Sequence, residues 1–227
     1  MAGCSSLTEI SDLAFNYCKQ LTNIDISDCV NLEIIGDYAF SYTSLENFDF
    51  MSLQNLKTIN NYSFYKTLIS GDLIFPSSLI SIGNNAFANN QNIENVYFEE
   101  NSSLTTFGDC VFEGCSNLKQ ISFENCSYLN TLNQSTFNGC FSLESIIIDN
   151  AFYKSIDGVL TDKTGKLLLY PMGKKNTEYR IPNDIVSIAS GAFNTNNNTL
   201  QKITIPSSVK QIEPLAFSSF FKYMTKI

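Results

Sequence analysis

The chain has no histidine and no tryptophan among its 227 residues, and only 16% of them are charged. Without histidine it cannot assemble a Ser-His-Asp or Cys-His nucleophile, nor a zinc centre with a histidine ligand. Basic side chains are scarce over most of the length: residues 1–150 hold Lys19, Lys57, Lys66 and Lys119 against 17 acids, a net −13, whereas 151–227 carry ten bases against five acids, a net +5. The total of −8 argues against a general nucleic-acid binder, whose phosphate contacts need a basic surface. No apolar run approaches the roughly 18–20 residues that span a bilayer, so no transmembrane segment is expected. The opening MAGCSSLTEISDLAF has neither the basic start nor the apolar stretch of a secretory leader, and it already reads as the middle of a repeat, as a fragment of a longer protein would.

What the chain has instead is repetition. The segment 112–118, FEGCSNL, returns as 137–143, FNGCFSL. Aligned on Leu-x-x-Ile-x-x-x-Ala-Phe, the copies are Leu7/Ile10/Ala14/Phe15, Leu32/Ile35/Ala39/Phe40, Leu56/Ile59/Ser63/Phe64 and Leu79/Ile82/Ala86/Phe87. They continue with Leu104/Phe107/Val111/Phe112, Leu129/Leu132/Thr136/Phe137, Ile185/Ile188/Ala192/Phe193 and Val209/Ile212/Ala216/Phe217. Successive starts differ by 25, 24, 23, 25, 25, 56 and 24 residues.

The other half of each unit is Leu-x-x-Ile-x-Ile, as in Leu21/Ile24/Ile26, Leu45/Phe48/Phe50, Ile93/Val96/Phe98, Leu118/Ile121/Phe123, Leu143/Ile146/Ile148 and Leu200/Ile203/Ile205. An Asn or Cys often follows, which is the leucine-rich-repeat phrase at a period within its usual range. In an extended segment the two apolar residues of L-x-L point to one side, into a core, while the residue between them faces out. One such unit buries too little to offset its backbone entropy, so stability comes from stacking each coil on its neighbours. The third unit is ragged, with Ser70 at a Leu position, and is expected to be weaker. Within the 56-residue interval, 153–160 and 166–170 read as two strands around the Thr161–Gly165 turn, a projecting β-hairpin that Pro171 ends.

The phrases FPSSLISIGNNAF (75–87), IPNDIVSIASGAF (181–193), IPSSVKQIEPLAF (205–217) and SIDGVLTDKTGKLLLYPMGK (155–174) resemble the BspA-like leucine-rich repeats of bacterial and protozoan surface proteins, over nearly the whole chain. The expected fold is an α/β repeat solenoid: a curved right-handed superhelix with a parallel β-sheet on its concave face and short helical or irregular turns on its convex face. It would form a single leucine-rich-repeat domain over 1–227, with a β-hairpin insertion at 151–176. The resemblance implies a cell-surface or secreted, adhesin-like module that binds a host-cell or extracellular-matrix protein or glycan. It designates no catalytic residue, metal or cofactor.

The outward strand positions are the first candidate site. One column contains Asp25, Asp49, Ile74, Tyr97, Ser122 and Ile147, and the next contains Met51, Glu99, Glu124 and Asp149; together they mix carboxylates with apolar anchors as protein contacts do. Solvent-facing strand residues of mixed character would look the same. The insert is the second candidate: Lys163, Lys166, Lys174 and Lys175, with Lys154 and Arg180, read as a basic prong for a sulfated glycan or an acidic partner, or else as a solubilising hairpin. Self-association is the alternative function, driven by an acidic front, a basic rear and apolar residues 216–221.

Other motifs carry little. GVLTDKTGK (158–166) has the wrong spacing for a phosphate loop, with Leu167 where a Ser or Thr would hold magnesium. Asp25/Asp49 and Glu124/Asp149 are ordinary solvated carboxylates before they are acid-base pairs. Cys4, Cys29 and Cys126 share one column with Asn101, turned inward; Cys18, Cys115 and Cys140 share another with Thr43 and Asn90; Cys110 belongs to neither. Reduced, packed thiols are expected, with Cys4–Cys29 and Cys115–Cys140 close enough for disulfides to remain an alternative. Sequons at Asn61, Asn101, Asn125, Asn133 and Asn197 are no more than an Asn- and Ser-rich chain yields by chance.

Overall fold

The computed structural model describes residues 3–193 and 199–218. The Leu-x-x-Ile-x-Ile phrases form a parallel ladder of Gly71–Phe75, Ile93–Phe98, Gln120–Ser122 and Ser145–Ile147. Glu178–Arg180 and Lys202–Thr204 pair in the same way further along. In-register Leu73, Val96, Ile121 and Ile146 are buried, because alternation sends every second side chain into the core. The phrases at 21–26 and 45–50 bury Ile26, Leu45, Phe48 and Phe50 similarly without entering a ladder. In the ragged third unit, buried Ile69 fills the place that Ser70 vacates, and the strand register shifts between Gly71 and Asp72.

The opposite side differs from expectation. Short helical or irregular turns were predicted there, but Glu9–Ile10, Ile34–Ile35, Thr58–Ile59, Ser81–Ile82 and Thr106–Phe107 make a second parallel ladder. The helical half of the α/β class is not realised either: among the described residues the helical segments are two short 3-10 turns, Phe50–Ser52 and Gln134–Phe137. Each coil is thus a β-coil with two ladder sides, because the Leu-x-x-Ile phrase is too short for a helix and long enough for one strand pair. The chain is a parallel-strand, leucine-rich-repeat-like solenoid of about eight turns.

Between the ladders the Phe of each Ala-Phe pair stacks on the next. Phe15, Phe40, Phe64, Phe87 and Phe112 form a row with centroids 5.1–5.6 Å apart and nearly parallel rings. A second row, Phe50, Phe75, Phe98 and Phe123, meets it edge-on. Side chains also tie coil to coil through polar contacts. Asp12, Asp37, Asn61 and Asn84 each accept, through Oδ1, the backbone N–H of the equivalent residue one coil later, at 2.6–2.8 Å. The approach is close enough that a Cβ on Gly83 would come within 2.7 Å of the Asn60 and Asn61 backbone, so glycine is required there.

The insert is the largest correction. It is not a single projecting hairpin over 151–176 but an antiparallel meander of Tyr153–Ile156, Val159–Asp162 and Lys166–Leu169. The turn missed in the sequence is Asp157-Gly158, both residues at positive φ, a two-residue turn that folds 153–162 back on itself. Nor does it project. Ile146 donates its N–H to the Gly158 carbonyl at the first ladder, while Lys166–Leu169 pairs in parallel with Ser187–Ile188 at the second. Leu160 and Leu169 join the core of the preceding coils; Val159, Leu167 and Tyr170 join that of the following ones. The meander is a partition between two cores.

Its lysines stitch that partition in place. Lys154 pairs with Asp184, Lys163 with Asp149, Lys166 with Glu213 at 2.6 Å, Lys174 with Asp157 at 3.2 Å and Lys175 with Glu144 at 2.9 Å. Hydrogen bonds from Lys163, Lys154 and Lys166 hold Asp149, Asp184 and Glu213 below their ordinary carboxylate values.

All seven cysteines are free. Cys115 and Cys140 donate to the Phe87 and Phe112 carbonyls of the preceding coil at 3.2 and 3.1 Å, as Asn90 does to Phe64, so this column ties each turn to the one before it. Burial pushes the Cys115 and Cys126 thiols up to about 12 and raises Cys140. Two expectations fail. Cys18 is exposed, unlike Cys115 and Cys140 of the same column. Asn101 faces out at φ 59°, and Ser102 takes the inward place, 3.7 Å from the Cys126 thiol, because the turn at 99–101 is one residue longer.

Three outcomes follow from this architecture. Phe64→Ala should cost about 3–5 kcal/mol in urea unfolding, since Phe64 stacks between Phe40 and Phe87 in the first row and meets Phe50 of the second edge-on. A thiol reagent in native buffer should titrate Cys18 with slower reaction of Cys4 and Cys110, the four buried thiols appearing only on denaturation; fast reaction of all seven would mean an open stack. Because Asp149, Asp184 and Glu213 have depressed folded-state pKa values, their contribution is fully present above the ordinary 3.8 and 4.5 and is lost as pH falls through the folded values. The urea midpoint should therefore drop between pH 5 and pH 2, and drop less in a Lys163→Gln, Lys166→Gln variant.

Candidate binding surface

On the outer side of the first ladder the side chains line up in rows across the coils. Ile74 lies opposite Tyr97 and Ser122 opposite Ile147, with Val96 and Ile121 paired between them, so Ile74, Tyr97, Ser122 and Ile147 form one row. Ile74 is exposed and the other three half-buried. Asp72, Asn95, Gln120 and Ser145 form the next, where the Asn95 amide donates to Asp72 at 2.7 Å. Along its margin runs an alternating ionic rail: Lys119 meets Glu94 at 2.6 Å and Lys175 meets Glu144 at 2.9 Å. On the other side of the Tyr97 row come Glu99, Glu124 and Asp149.

The structure brings some predicted residues together and separates others. Tyr97, Ser122, Ile147, Glu99, Glu124 and Asp149 share this surface, with Lys163 tied to Asp149 and Lys175 on the ionic rail. Glu99 also accepts the Ser77 N–H at 2.9 Å, and Ser122 faces the Glu124 N–H at 3.4 Å. Asp25 and Asp49 lie on earlier coils outside the ladder, where each holds its own turn by accepting from Ser27 and Met51, and Met51 is half-buried in the 3-10 turn. The bond from Ser27 keeps Asp25 below its ordinary carboxylate range.

The lysines do not form one basic prong. Lys166 sits on the second ladder and Lys174 is only 9% exposed, its ammonium 2.6 Å from the Asp157 carbonyl. Within the supposed phosphate loop, Asp162 accepts from Thr164 and Lys166 N–H groups and so closes the turn with a carboxylate. Of the sequons, Asn61 and Asn125 are engaged in inter-coil bonds, and Asn197 lies outside the described residues, as do Phe220 and Phe221.

Two features escaped the sequence reading. One is a cleft of about 530 Å³ where the second ladder is interrupted between Thr106–Phe107 and Lys166–Leu169, lined by Asp109, Asn130, Thr131, Tyr153, Lys166 and Glu213 among others. The other is a tyrosine cluster on the turns. In the first five coils each turn holds two residues in the left-handed region, and in the first three these are Leu13, Tyr17, Tyr38, Tyr42, Tyr62 and Lys66, at φ 54–60°. For a bulky residue that conformation costs roughly 1–2 kcal/mol. The stacks Tyr17–Tyr42 and Tyr38–Tyr62 return only about 0.5–1.5 kcal/mol each, less than four strained tyrosines cost. Reading the turn columns instead of the ladder columns would have found them.

Among the described residues no cluster of three or more His, Cys, Asp or Glu is placed to hold a metal ion, and no helix is long and apolar enough to cross a membrane. A family profile described as the BspA type leucine rich repeat region matches in six copies, over residues 3–67, 33–160 and 172–227. No curated protein matches the chain. Among solved structures, the pneumococcal vaccine antigen PcpA superposes with a TM-score of 0.78 at 24% identity, over 93% of this chain and 54% of that one. A leucine-rich repeat protein from Eubacterium ventriosum gives 0.57 at 25% identity, over 92% and 48%. One from Bacteroides ovatus gives 0.58 at 19% identity, over 99% and 67%. The chain thus spans about half the length of the first two, and the likeness to PcpA and the Bacteroides protein is one of fold. With ladder, period and inward columns matching that profile along nearly its whole length, the chain belongs to the BspA-type leucine-rich-repeat family.

Proposed function

We propose that this chain is a non-enzymatic, adhesin-like binding module of a cell-surface or secreted protein, recognising a host-cell or extracellular-matrix protein or glycan through the outer side of its first ladder. The observation that carries this reading is the row Ile74, Tyr97, Ser122 and Ile147, flanked by Glu99, Glu124 and Asp149: apolar and aromatic anchors inside a polar rim, on strands whose rigidity comes from buried neighbours. Family membership and the likeness to a pneumococcal antigen support the surface location. The finer geometry belongs to the same proposal: one domain over 1–227, coiled as a right-handed superhelix with this ladder concave. Asp25, Asp49 and Met51 would extend the contact toward the earlier coils, and Lys163 and Lys175 would border it; Lys166 and Lys174 would serve it only by fixing the insert.

The second reading, head-to-tail self-association, rests on the acidic 1–150 and basic 151–227 segments. Two of the insert's lysines, Lys163 and Lys175, already pair within the chain with Asp149 and Glu144 of the acidic segment, which weakens that dipole. Light scattering at low salt separates the two, since a monomer at every concentration rules out the assembly.

A binding array of matrix proteins and glycans, followed by a Tyr97→Ala, Glu124→Ala variant, tests the main reading. Loss of affinity by tenfold or more, about 1.4 kcal/mol, is expected for the captured ligand with the urea midpoint unchanged. Undiminished binding of every ligand would exclude this surface.

A further inference from the structure

The first three coils keep large side chains where the backbone favours glycine or asparagine. At the equivalent left-handed positions later in the chain stand Asn85, Asn89, Gly114, Gly139 and Gly191, which adopt that conformation readily, together with Cys110 and Leu215, so that tyrosine at these positions is confined to the first three coils. In the first three stand Leu13, Tyr17, Tyr38, Tyr42, Tyr62 and Lys66. These are not hidden for the sake of the core: Leu13 is 55% exposed, Tyr17 56% and Tyr38 38%. Tyr17 stacks on Tyr42 with centroids 4.5 Å apart and Tyr38 on Tyr62 at 4.8 Å, and Tyr65 closes the group edge-on to Tyr42 and Tyr62 at 5.4 and 5.5 Å. The result is one continuous aromatic patch, strained in backbone and open to solvent. Strain retained at exposed aromatic positions is a mark of a binding surface.

The charge around the patch defines its partner. Lys66 Nζ lies 5.4 Å from the ring centres of both Tyr42 and Tyr65, and Lys19 Nζ 6.0 Å from that of Tyr17, so these rings already receive ammonium groups from the chain itself. Asp12 and Asp37 immediately precede Leu13 and Tyr38, and residues 1–150 carry 17 acids against four bases, two of which are Lys19 and Lys66. A negative field with exposed ring faces attracts cations and repels acidic ligands. We propose that the tyrosine patch docks a basic, arginine- or lysine-bearing segment of a protein partner, with Lys66 and Lys19 occupying the ring faces until that segment displaces them. The surface lies on the turns rather than on the outer side of the first ladder, so it stands or falls independently of the function proposed above.

The test uses the whole chain and a fluorescent peptide of alternating arginine and glycine, with alternating glutamate and glycine and a neutral oligosaccharide as comparisons. Tyr17→Asn with Tyr42→Asn leaves every charge in place and suits the left-handed backbone. Arginine-peptide binding is expected to fall about tenfold, two exposed cation–π contacts' worth, with the urea midpoint unchanged or raised. Lys66→Gln is expected to tighten the same binding several-fold by freeing two rings and removing a repelling charge. The proposal is overturned if the tyrosine variant binds as the wild type does, if Lys66→Gln weakens binding, or if the glutamate peptide or the oligosaccharide binds as well as the arginine peptide. It is equally overturned if the wild type self-associates and the tyrosine variant does not, for then the occupant is a second copy of the chain.

Discussion

The spacing between adjacent strands, about 4.8 Å, is the constraint on which everything else in this protein depends. Two ladders at that spacing force every coil into register with the next, so any buried side chain faces its own equivalent. Flat aromatic rings suit that separation: the row from Phe15 to Phe112 keeps centroid distances of 5.1–5.6 Å, the ladder spacing relaxed by slight ring offset. The Asp12-to-Asn84 series obeys the same rule in polar form, one side-chain oxygen per backbone N–H. Inward positions are therefore nearly invariant along the chain, and recognition is left to positions that face water.

The insert shows how the constraint is met when a coil is rewritten. A chain leaving the stack would abandon a ladder edge and an apolar core face, both costly to expose. The meander instead supplies apolar residues on both faces, Leu160 and Leu169 to one core, Val159 and Leu167 to the other, and hands the second ladder on through Lys166–Leu169. Its lysines answer acids on neighbouring coils, which is why a segment basic in sequence is largely neutralised in place.

Exposed positions divide into two kinds. On the first ladder, outward residues such as Tyr97 and Ser122 vary at little cost, because a strand accepts most side chains on its solvent face. On the turns, left-handed backbone penalises anything bulky, so Tyr17, Tyr38 and Tyr42 persist against a local preference that Asn85, Asn89 and Gly114 follow. The two surfaces therefore carry different information: tolerance in one, retained strain in the other.

The repeat, its period, the inward Leu, Ile and Phe columns and the packed thiols Cys115 and Cys140 were legible in the sequence, since each is a local pattern copied every 23–25 residues. The outward row through Tyr97 and Ser122 was legible too, as the complement of those columns. What sequence left undetermined was set by contacts distant along the chain. That Ile10 and Ile35 would pair as strands rather than lie in short helical or irregular turns, that Asp157-Gly158 would bring Gly158 to Ile146, that Lys166 and Lys174 would turn away from the first ladder, and that five tyrosines would meet on one edge are all decided by which coil lies beside which. A repeating pattern specifies what each coil buries; only stacking specifies which side chains become neighbours, because those neighbours are a full coil apart in sequence and one strand spacing apart in space.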